Sequence, residues 1–335
     1  KGVVAGGKTG APCLWQTAIG CIEHQLGLYG KARADLSQAM SLAGTQRMKD
    51  NARAIYAANA IFAEKRHDAY FDKWLAGEMK WLDTKSAEDR KSTTLYATDH
   101  YRDVQERMVY NGLVPMLRKE GRASAALVLL GRMEDGDPRW YYQSTYFDAL
   151  NSVTIDDLKA YAKYLAKQPS DSLESWAWQG ACRDPDFYND IIGTRLLAQA
   201  RFADAVPFLE KVSVAFLNKQ NIAPYAAQRS YAQARWMGKQ QVAQPEYLTE
   251  DRRAALPKLQ ENKKLSYCRD MLNLSRQYSL MKPSEERMRK AYELASMWYQ
   301  GSWEGDCWWL TQYGVSVAQD SAMVGTADFV AKAIS

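Results

Sequence analysis

The sequence has no run of about 18 apolar residues, the length needed to cross a membrane, so we predict no transmembrane segment. Its first residues, KGVVAGGKTGAPCLW, lack the apolar stretch of a signal peptide. Because the chain starts with Lys rather than Met, we expect a mature or trimmed protein whose signal could have been removed. Two locations therefore stay open: the periplasm or cell envelope, and the cytoplasm.

Cysteine and histidine are scarce, with five Cys and three His in 335 residues. The Cys count is odd and no two cysteines form a CxxC pair, which argues against a secreted disulfide framework. We expect most cysteines to be small buried apolar residues, and a single bridge stays open. The sequence contains no HExxH motif, nucleophile elbow, Walker loop, dinucleotide fingerprint or cluster with metal-ligand spacing, so we predict no metal and no cofactor.

Glycine, proline and alternating β-branched residues are also few, which favours helices over sheets. Apolar residues recur at intervals of three and four, as at Leu158, Tyr161 and Leu165. Thr154 precedes this helix as an expected N-cap. The sequence therefore predicts an all-α protein of about 12–15 helices of ordinary length.

The chain has no long block of charge of one sign. Its 44 Lys and Arg are interleaved with 39 Asp and Glu, which gives a net charge of +5. Such interleaving is typical of solvated helix faces rather than of a phosphate-binding surface, so we predict no nucleic-acid partner. The polar range 238–264, with two prolines and weak periodicity, is the best candidate for a long connection or an insertion.

Two distant stretches share one spacing of small and large residues. Each has a small residue, a second one seven places on, an aromatic two places later, and then Ala, Leu and another apolar residue. The matching residues are Gly20, Gly27, Tyr29, Ala32, Leu36 and Ala39 in the first stretch, and Gly193, Ala200, Phe202, Ala205, Leu209 and Val212 in the second. A partial third copy has Gly121, Ala126 and Leu130, followed by Pro138.

This spacing has a steric meaning, because small residues let the two helices of a hairpin approach and larger ones fill the groove between them. It resembles the frame of the tetratricopeptide repeat, although the copies are not spaced by the family's period of about 34 residues. The resemblance implies an α-solenoid or right-handed superhelix. Its hairpins are best seen at 12–40, 105–138 and 186–213, within a single helical-repeat region 1–335. In general character the chain also resembles large helical-repeat proteins of Bacteroidetes.

In the tetratricopeptide family the first helix of each hairpin lines a concave surface that binds peptides or partner helices. Carried over by position, the resemblance places seven residues on that surface: Thr17, Cys21, His24 and Gln25 in the first copy, and Asp190, Thr194 and Leu197 in the later one. The plainer interpretation is that such residues simply face solvent.

The stretch GSWEGDCWWLTQYG holds Trp303, Trp308 and Trp309 beside Glu304 and Asp306. Two adjacent Trp side chains are hard to bury in one core, so one interpretation is a stacking platform for sugar rings or an anchor for a protein partner. The alternative is core and inter-helix filling. The stretch SWAWQGACRD, with two tryptophans, poses the same question.

A carbohydrate-active enzyme of the α/α-toroid type is the main alternative to a binding protein. Such an enzyme needs carboxylates at a defined separation. Glu304 and Asp306 would diverge on a helix, so they could act together only from a loop. No motif marks the other candidate carboxylates, Asp184, Asp186 and Asp190, as catalytic either. The dipeptide His67–Asp68, taken with His24 and Asp99, resembles the dyad of helical metal-dependent phosphohydrolases.

We therefore predict a non-enzymatic binding or scaffolding module that recognises a protein or peptide through a concave groove and exposed aromatic residues. The residues predicted to contact the partner are Thr17, His24, Gln25, Asp190, Thr194, Trp303, Trp308 and Trp309. The alternative is an α/α-toroid enzyme or a glycan-binding protein. A purely structural segment of a larger assembly is the third interpretation.

Overall fold

A computed structural model of the chain falls into two compact units. Unit 1 comprises residues 1–135 and 167–181, and unit 2 comprises residues 136–166 and 182–335. The structure describes residues 2–7, 9–64, 68–91, 99–134, 145–220, 222–232 and 256–313. That both units belong to one repeat region over 1–335 stays a prediction.

Helices account for nearly all the regular structure of the described residues. In chain order they are α1 (Gly2–Ala5), α2 (Pro12–Gln25), α3 (Tyr29–Ser41), α4 (Gln46–Ala63), α5 (Ala69–Asp89), α6 (His100–Arg107), α7 (Val114–Lys119), α8 (Ala123–Met133), α9 (Thr145–Ser152), α10 (Ile155–Leu165), α11 (Ser172–Trp178), α12 (Pro185–Ala198), α13 (Phe202–Leu209), α14 (Val214–Leu217), α15 (Ala223–Ala227), α16 (Lys263–Leu280) and α17 (Glu285–Gln300). A π-helical turn, Met108–Leu113, joins α6 to α7, and a 3₁₀ turn, Trp308–Leu310, follows α17.

In unit 1, helices that are neighbours in sequence pack against one another. Helix α2 packs on α3 and α3 on α4, α5 packs on α6 and α7 on α8, and α11 lies against α5 and α8. The apolar stripe of α4 explains its orientation, because Ala54, Ala57 and Ile61 are buried on one side. Thr45 begins this helix by accepting a hydrogen bond from the backbone N–H of Met48.

Unit 2 is also built from helices that pack against others close to them in the sequence. Helix α10 packs on α12, α12 on α13, α13 on α16 and α16 on α17. Thr154 is the N-cap of α10, as predicted, and its hydroxyl accepts from the backbone N–H of Asp157 at 3.1 Å. Leu158 and Tyr161 of α10 are fully buried.

The all-α prediction is confirmed, since the described residues contain helices and turns but no strand. Packing between helices that follow one another in the chain is consistent with a helical solenoid. Of the range 238–264, residues 256–262 are not helical and α16 begins at Lys263. In the described part of the chain, no helix has both the length and the apolar character needed to span a membrane.

The cysteines are all free, so the bridge that the sequence left open is not formed. Cys13, Cys268 and Cys307 are buried, which matches the expectation of small apolar residues. Burial raises the pKa of Cys268 and that of Cys307 to about 12. These two thiols are therefore protonated at neutral pH.

The three predicted hairpins turn in the same way. The turn residue of each, Gly27, Gly121 or Ala200, has a positive φ, at 71°, 75° and 56° respectively. One residue later a backbone N–H donates to the carbonyl five residues back, from Leu28 to Glu23 at 2.8 Å, from Arg122 to Leu117 at 2.8 Å and from Arg201 to Leu196 at 2.9 Å. This bond is typical of a helix that ends in a left-handed residue. The shared spacing therefore encodes one turn geometry.

The close approach of the two helices, predicted for the first and last hairpins, is also present. A Cβ atom on Gly20 would lie 2.5 Å from Leu36 Cγ, and one on Gly193 would clash with Cδ2 of Leu209. The Leu side chain of the second helix thus occupies the space that a side chain on the first helix would need. Ala32 and Ala205, four residues before these leucines, are fully buried.

The third hairpin, at 105–138, differs in its first helix. The π-helical turn interrupts that helix, and Val114 occupies the position that corresponds to Gly20. Its second helix keeps the pattern, with Ala126 fully buried and Leu130 nearly so. Pro138 lies outside the described residues.

The turn residue Ala200 provides a first test of this geometry. An L-residue in the left-handed region costs about 1–2 kcal/mol, and glycine avoids this cost at some expense in chain entropy. We therefore expect Ala200→Gly to raise the free energy of unfolding by up to about 1 kcal/mol. The reverse change at the equivalent turn, Gly27→Ala, should lower it. Urea unfolding followed by circular dichroism measures both, and a loss of stability in Ala200→Gly would contradict the shared turn.

Candidate functional site

Unit 1 contains a groove of about 320 Å³ between α2, which begins the first hairpin, α4, and α6 with the π-helical turn that leads into the third hairpin. We call it the first-helix groove. It is lined by Cys21, His24 and Gln25 of α2, by Ile55, Ala58 and Phe62 of α4, and by His100, Val104, Arg107, Met108 and Asn111 of α6 and the π-helical turn. Helix α4 contacts both α2 and α6, so the three helices present one continuous surface.

His24 is held in place within this groove. Its Nδ1 lies 3.0 Å from Oδ1 of Asn59, and Asn59 in turn donates from Nδ2 to the carbonyl of Tyr29 at 3.0 Å. The imidazole packs edge-on against the rings of Tyr29 and Phe62, each with a centroid distance of 5.4 Å. Because an amide oxygen only accepts hydrogen bonds, the contact with Asn59 requires a hydrogen on Nδ1.

The described residues that line the first-helix groove are apolar, neutral or basic. Arg107 supplies a positive charge, Gln25 and Asn111 supply amide donors and acceptors, and the lining includes no Asp or Glu. Burial raises the pKa of the Cys21 thiol, which therefore stays protonated at neutral pH.

Unit 2 contains a second cavity, of about 250 Å³, beside the tryptophan-rich turn. We call it the Trp cavity. Its lining residues are Asp190, Leu217, Gln220, Ile222, Ala226, Leu259, Asn262, Lys263, Lys264, Trp308, Trp309, Gln312 and Tyr313. The structure thus brings together Asp190 and the adjacent tryptophans, which the sequence indicated as separate candidates.

One wall of the Trp cavity is a buried ion pair. Nζ of Lys264 lies 2.8 and 3.0 Å from the two carboxylate oxygens of Asp190 and 2.7 Å from Oγ1 of Thr194. The hydroxyl of Tyr313 lies 2.9 Å from Asp190 and 2.9 Å from Thr194. Asp190 is only 3 % exposed, because α12 is buried on several sides.

The tryptophan-rich turn folds back onto the end of α17. The carbonyl of Gln300 accepts from the backbone N–H of Cys307 at 3.0 Å, and the carbonyl of Gly301 accepts from Oγ1 of Thr311 at 2.7 Å. Gly305 permits this approach, since a Cβ there would clash with the carbonyl oxygen of Gln300. These bonds fix the 3₁₀ turn that carries the adjacent tryptophans.

Two buried polar side chains at the Trp cavity lack hydrogen-bond partners among the described residues. Gln312 is 5 % exposed and both ends of its side-chain amide are unpaired. Trp309 is also 5 % exposed and its indole Nε1 is unpaired. An unsatisfied buried group of this kind costs about 1–3 kcal/mol. Such a cost in a folded protein calls for an explanation such as an occupant of the cavity.

The predicted site residues lie in several different environments. His24 and Gln25 line the first-helix groove. Thr17 is half-buried, and its hydroxyl donates to the carbonyl of Cys13 at 2.8 Å. Trp303 is 46 % exposed and does not line the Trp cavity.

The remaining predicted residues belong to unit 2. Asp190 and Thr194 are buried in the ion-pair cluster, which differs from the solvent-facing position expected of a first helix. Their α12 packs against α10 and α13, and Lys264 at the start of α16 reaches Asp190. Leu197 is fully buried. Trp308 is half-buried and Trp309 is buried at the Trp cavity. That any of these residues contacts a partner stays a prediction.

Three of the acidic residues considered for an enzyme serve as helix caps. Asp68, Asp99 and Asp184 are N-caps whose carboxylates accept backbone N–H bonds. Asp306 is buried and Glu304 is exposed on the turn. His67 lies outside the described residues, and no group of three or more metal-binding side chains occurs within them. The tryptophans of SWAWQGACRD, Trp176 and Trp178, fill the core.

Sequence reasoning missed three residues of these sites. Lys264 is 74 positions from Asp190, so no local spacing connects them. Gln312 follows the tryptophans closely, and its position beside a candidate cluster was the one available signal. His100 faces the same groove as His24, but it begins a helix that carried no repeat pattern.

Comparisons with known proteins do not supply a family. No family model matches the chain, and neither the curated proteins nor the solved structures yield a match. The helical-repeat interpretation therefore rests on the hairpins themselves. The tetratricopeptide resemblance and the likeness to proteins of Bacteroidetes stay predictions.

Proposed function

We propose that the chain is a non-enzymatic binding or scaffolding module that holds a peptide segment of a partner protein in the first-helix groove. The single observation that supports this most is the groove's construction from three adjacent helices. Helices α2 and α6, with the π-helical turn, supply its polar side chains, and α4 supplies an apolar floor between them. Grooves between helices are a common site for peptide recognition.

The composition of the groove favours an acidic peptide. Amide side chains such as Gln25 and Asn111 can pair with both the N–H and the carbonyl of an extended backbone. Arg107 can pair with a carboxylate of the partner, and Phe62 supplies an aromatic surface that is 36 % exposed. Charge complementarity of this kind mainly sets specificity and the rate of association.

The proposal predicts that peptides selected for binding to the protein are acidic and that their binding requires the first-helix groove. A random library of peptides of about 12 residues, displayed on phage and selected on the full chain, supplies the probes. We expect Phe62→Ala and Arg107→Glu each to weaken binding of the selected peptides about tenfold or more, as for truncation of an interface anchor. Fluorescence anisotropy of labelled peptides measures Kd.

The matched control is Arg118→Glu, which reverses an exposed arginine on α7 that does not line the groove. It should leave Kd within about twofold, as expected for a charge outside the interface. If no peptide is enriched, or if Arg118→Glu and Arg107→Glu weaken binding equally, the first-helix groove is not the binding site.

A further inference from the structure

We propose that the Trp cavity of unit 2 binds a single neutral sugar ring, a pyranose with neighbouring free hydroxyls. All the residues that line this cavity belong to unit 2, whereas the first-helix groove belongs to unit 1. The inference therefore does not depend on the proposed peptide site. Its support is the combination of unpaired polar groups, aromatic walls and lysines whose hydrogen bonds are already used within the protein.

The unpaired groups determine which hydrogen-bond donors and acceptors the ligand must have. Gln312 needs an acceptor for its Nε2 and a donor for its Oε1, and the Trp309 indole needs a further acceptor. A hydroxyl group is both donor and acceptor, so two neighbouring hydroxyls can satisfy both ends of one side-chain amide. A carboxylate accepts only and would leave Oε1 of Gln312 without a donor.

The apolar walls of the Trp cavity suit the C–H face of a sugar ring. Trp308 and Trp309 both line the cavity, and Leu217, Ile222 and Leu259 add apolar surface. Small-molecule sites generally combine such apolar and aromatic walls with a few polar groups that fix orientation. The C–H face of a pyranose can pack on these rings while its hydroxyls reach the amide.

The two lysines of the cavity are already engaged, which favours a neutral ligand. Lys264 is paired with Asp190. Nζ of Lys263 donates to the carbonyls of Ala226, Ala227 and Arg229 at 2.8, 3.0 and 2.6 Å. Its three hydrogens are thus used, and neither ammonium group is available to bind an anion directly.

The size of the cavity limits the ligand to about one ring. Its volume of about 250 Å³ lies below the range of about 300–1,000 Å³ that is usual for drug-sized ligands. A longer oligosaccharide would have to extend out of the cavity. The site therefore fits either a free monosaccharide or the terminal residue of a glycan, which share the same ring chemistry.

Saturation-transfer NMR on the full chain tests the proposal. The probes are methyl pyranosides of glucose, galactose, mannose and N-acetylglucosamine, with benzamide and benzoate as ring compounds without hydroxyls. We expect at least one pyranoside to bind, and Gln312→Leu to weaken it at least tenfold. Trp309→Phe, which keeps a ring and removes the N–H, should also weaken it.

Trp303→Phe is the matched control, because Trp303 does not line the cavity, and it should leave binding unchanged. Gln312→Leu should also keep or raise the melting temperature, since replacing an unpaired buried amide by an apolar side chain removes an unsatisfied group. Should Gln312→Leu fail to fold, the comparison of Trp309→Phe with Trp303→Phe decides whether binding depends on the cavity.

Immobilised oligosaccharides that end in the bound sugar distinguish the two sources. Retention of the protein on them identifies a glycan terminus, and binding of the free pyranoside alone identifies a monosaccharide; both support the proposal. The proposal fails if no pyranoside binds, if binding survives Gln312→Leu and Trp309→Phe, or if benzamide or benzoate binds while the sugars do not.

Discussion

Replacing Lys264 by Met should cost about 3–5 kcal/mol of the free energy of unfolding, as expected when one partner of a buried ion pair is removed. The methionine has a similar length but no charge, so Asp190 would keep its buried position while losing two contacts of 2.8 and 3.0 Å. Thr194 would also lose its bond to the ammonium group. Urea unfolding, followed by hydrogen exchange in peptides from α12 and α16, measures the loss.

Two further variants show whether the cost comes from the unpaired charge. In Asp190→Asn with Lys264→Met no charge remains buried, and we expect the double variant to recover at least half of the loss, because removing both partners is often close to neutral. Lys290→Met removes a more exposed lysine, paired with Glu293 at 2.8 Å, and should cost no more than about 1 kcal/mol. Equal losses in Lys264→Met and Lys290→Met would contradict a buried pair.

The sequence predicts the hairpins well because their determinants are local. Gly20 and Leu36 are 16 positions apart, as are Gly193 and Leu209, and in both hairpins the leucine occupies the space beside the glycine. Steric contacts at fixed offsets can be read from spacing alone. Thr154 is another such case, since an N-cap depends on residues three positions apart.

The sites are less predictable, because their contacts join residues that are distant in the chain. The contact of Tyr313 with Asp190 spans 123 positions, and no periodic pattern carries such information. The sequence marked Trp308 and Trp309 by their unusual adjacency, but only the structure shows that Gln312, three residues on, is buried without a partner among the described residues. Whether a buried polar side chain finds a hydrogen-bond partner depends on its folded surroundings and not on the residue type.

The interrupted helix of the third hairpin illustrates the same limit. The sequence predicts a helical hairpin at 105–138, yet the structure has a π-helical turn at Met108–Leu113 in its first helix. A Cβ on Gly112 in this turn would lie 3.1 Å from Ile61, so α4 packs closely against the widened segment. π-helical turns are rare and often occur at functional sites. Here the turn contributes Met108 and Asn111 to the first-helix groove, a placement that apolar periodicity does not reveal.

An arginine at either of the matching alanines of the two hairpins should be the most damaging single change within the repeats. Ala32 and Ala205 are fully buried between the helices of their hairpins, so Ala32→Arg and Ala205→Arg would force a long charged side chain into closely packed space. We expect each to cost about 2–5 kcal/mol, from overpacking and from the buried charge. Melting temperature and hydrogen exchange of the affected hairpin provide the measurement.

Each hairpin offers a control on the same helix. Ala34 on α3 and Ala203 on α13 are exposed, so Ala34→Arg and Ala203→Arg add the same charge to the same element without entering the hairpin interface. These changes should stay within about 0.5 kcal/mol of the unmodified protein. The contrast within each pair isolates the contact between helices from effects of charge or helix propensity. A melting temperature that does not respond to Ala32→Arg and Ala205→Arg would mean that the alanines do not hold the hairpins together, and the repeat interpretation would then be wrong.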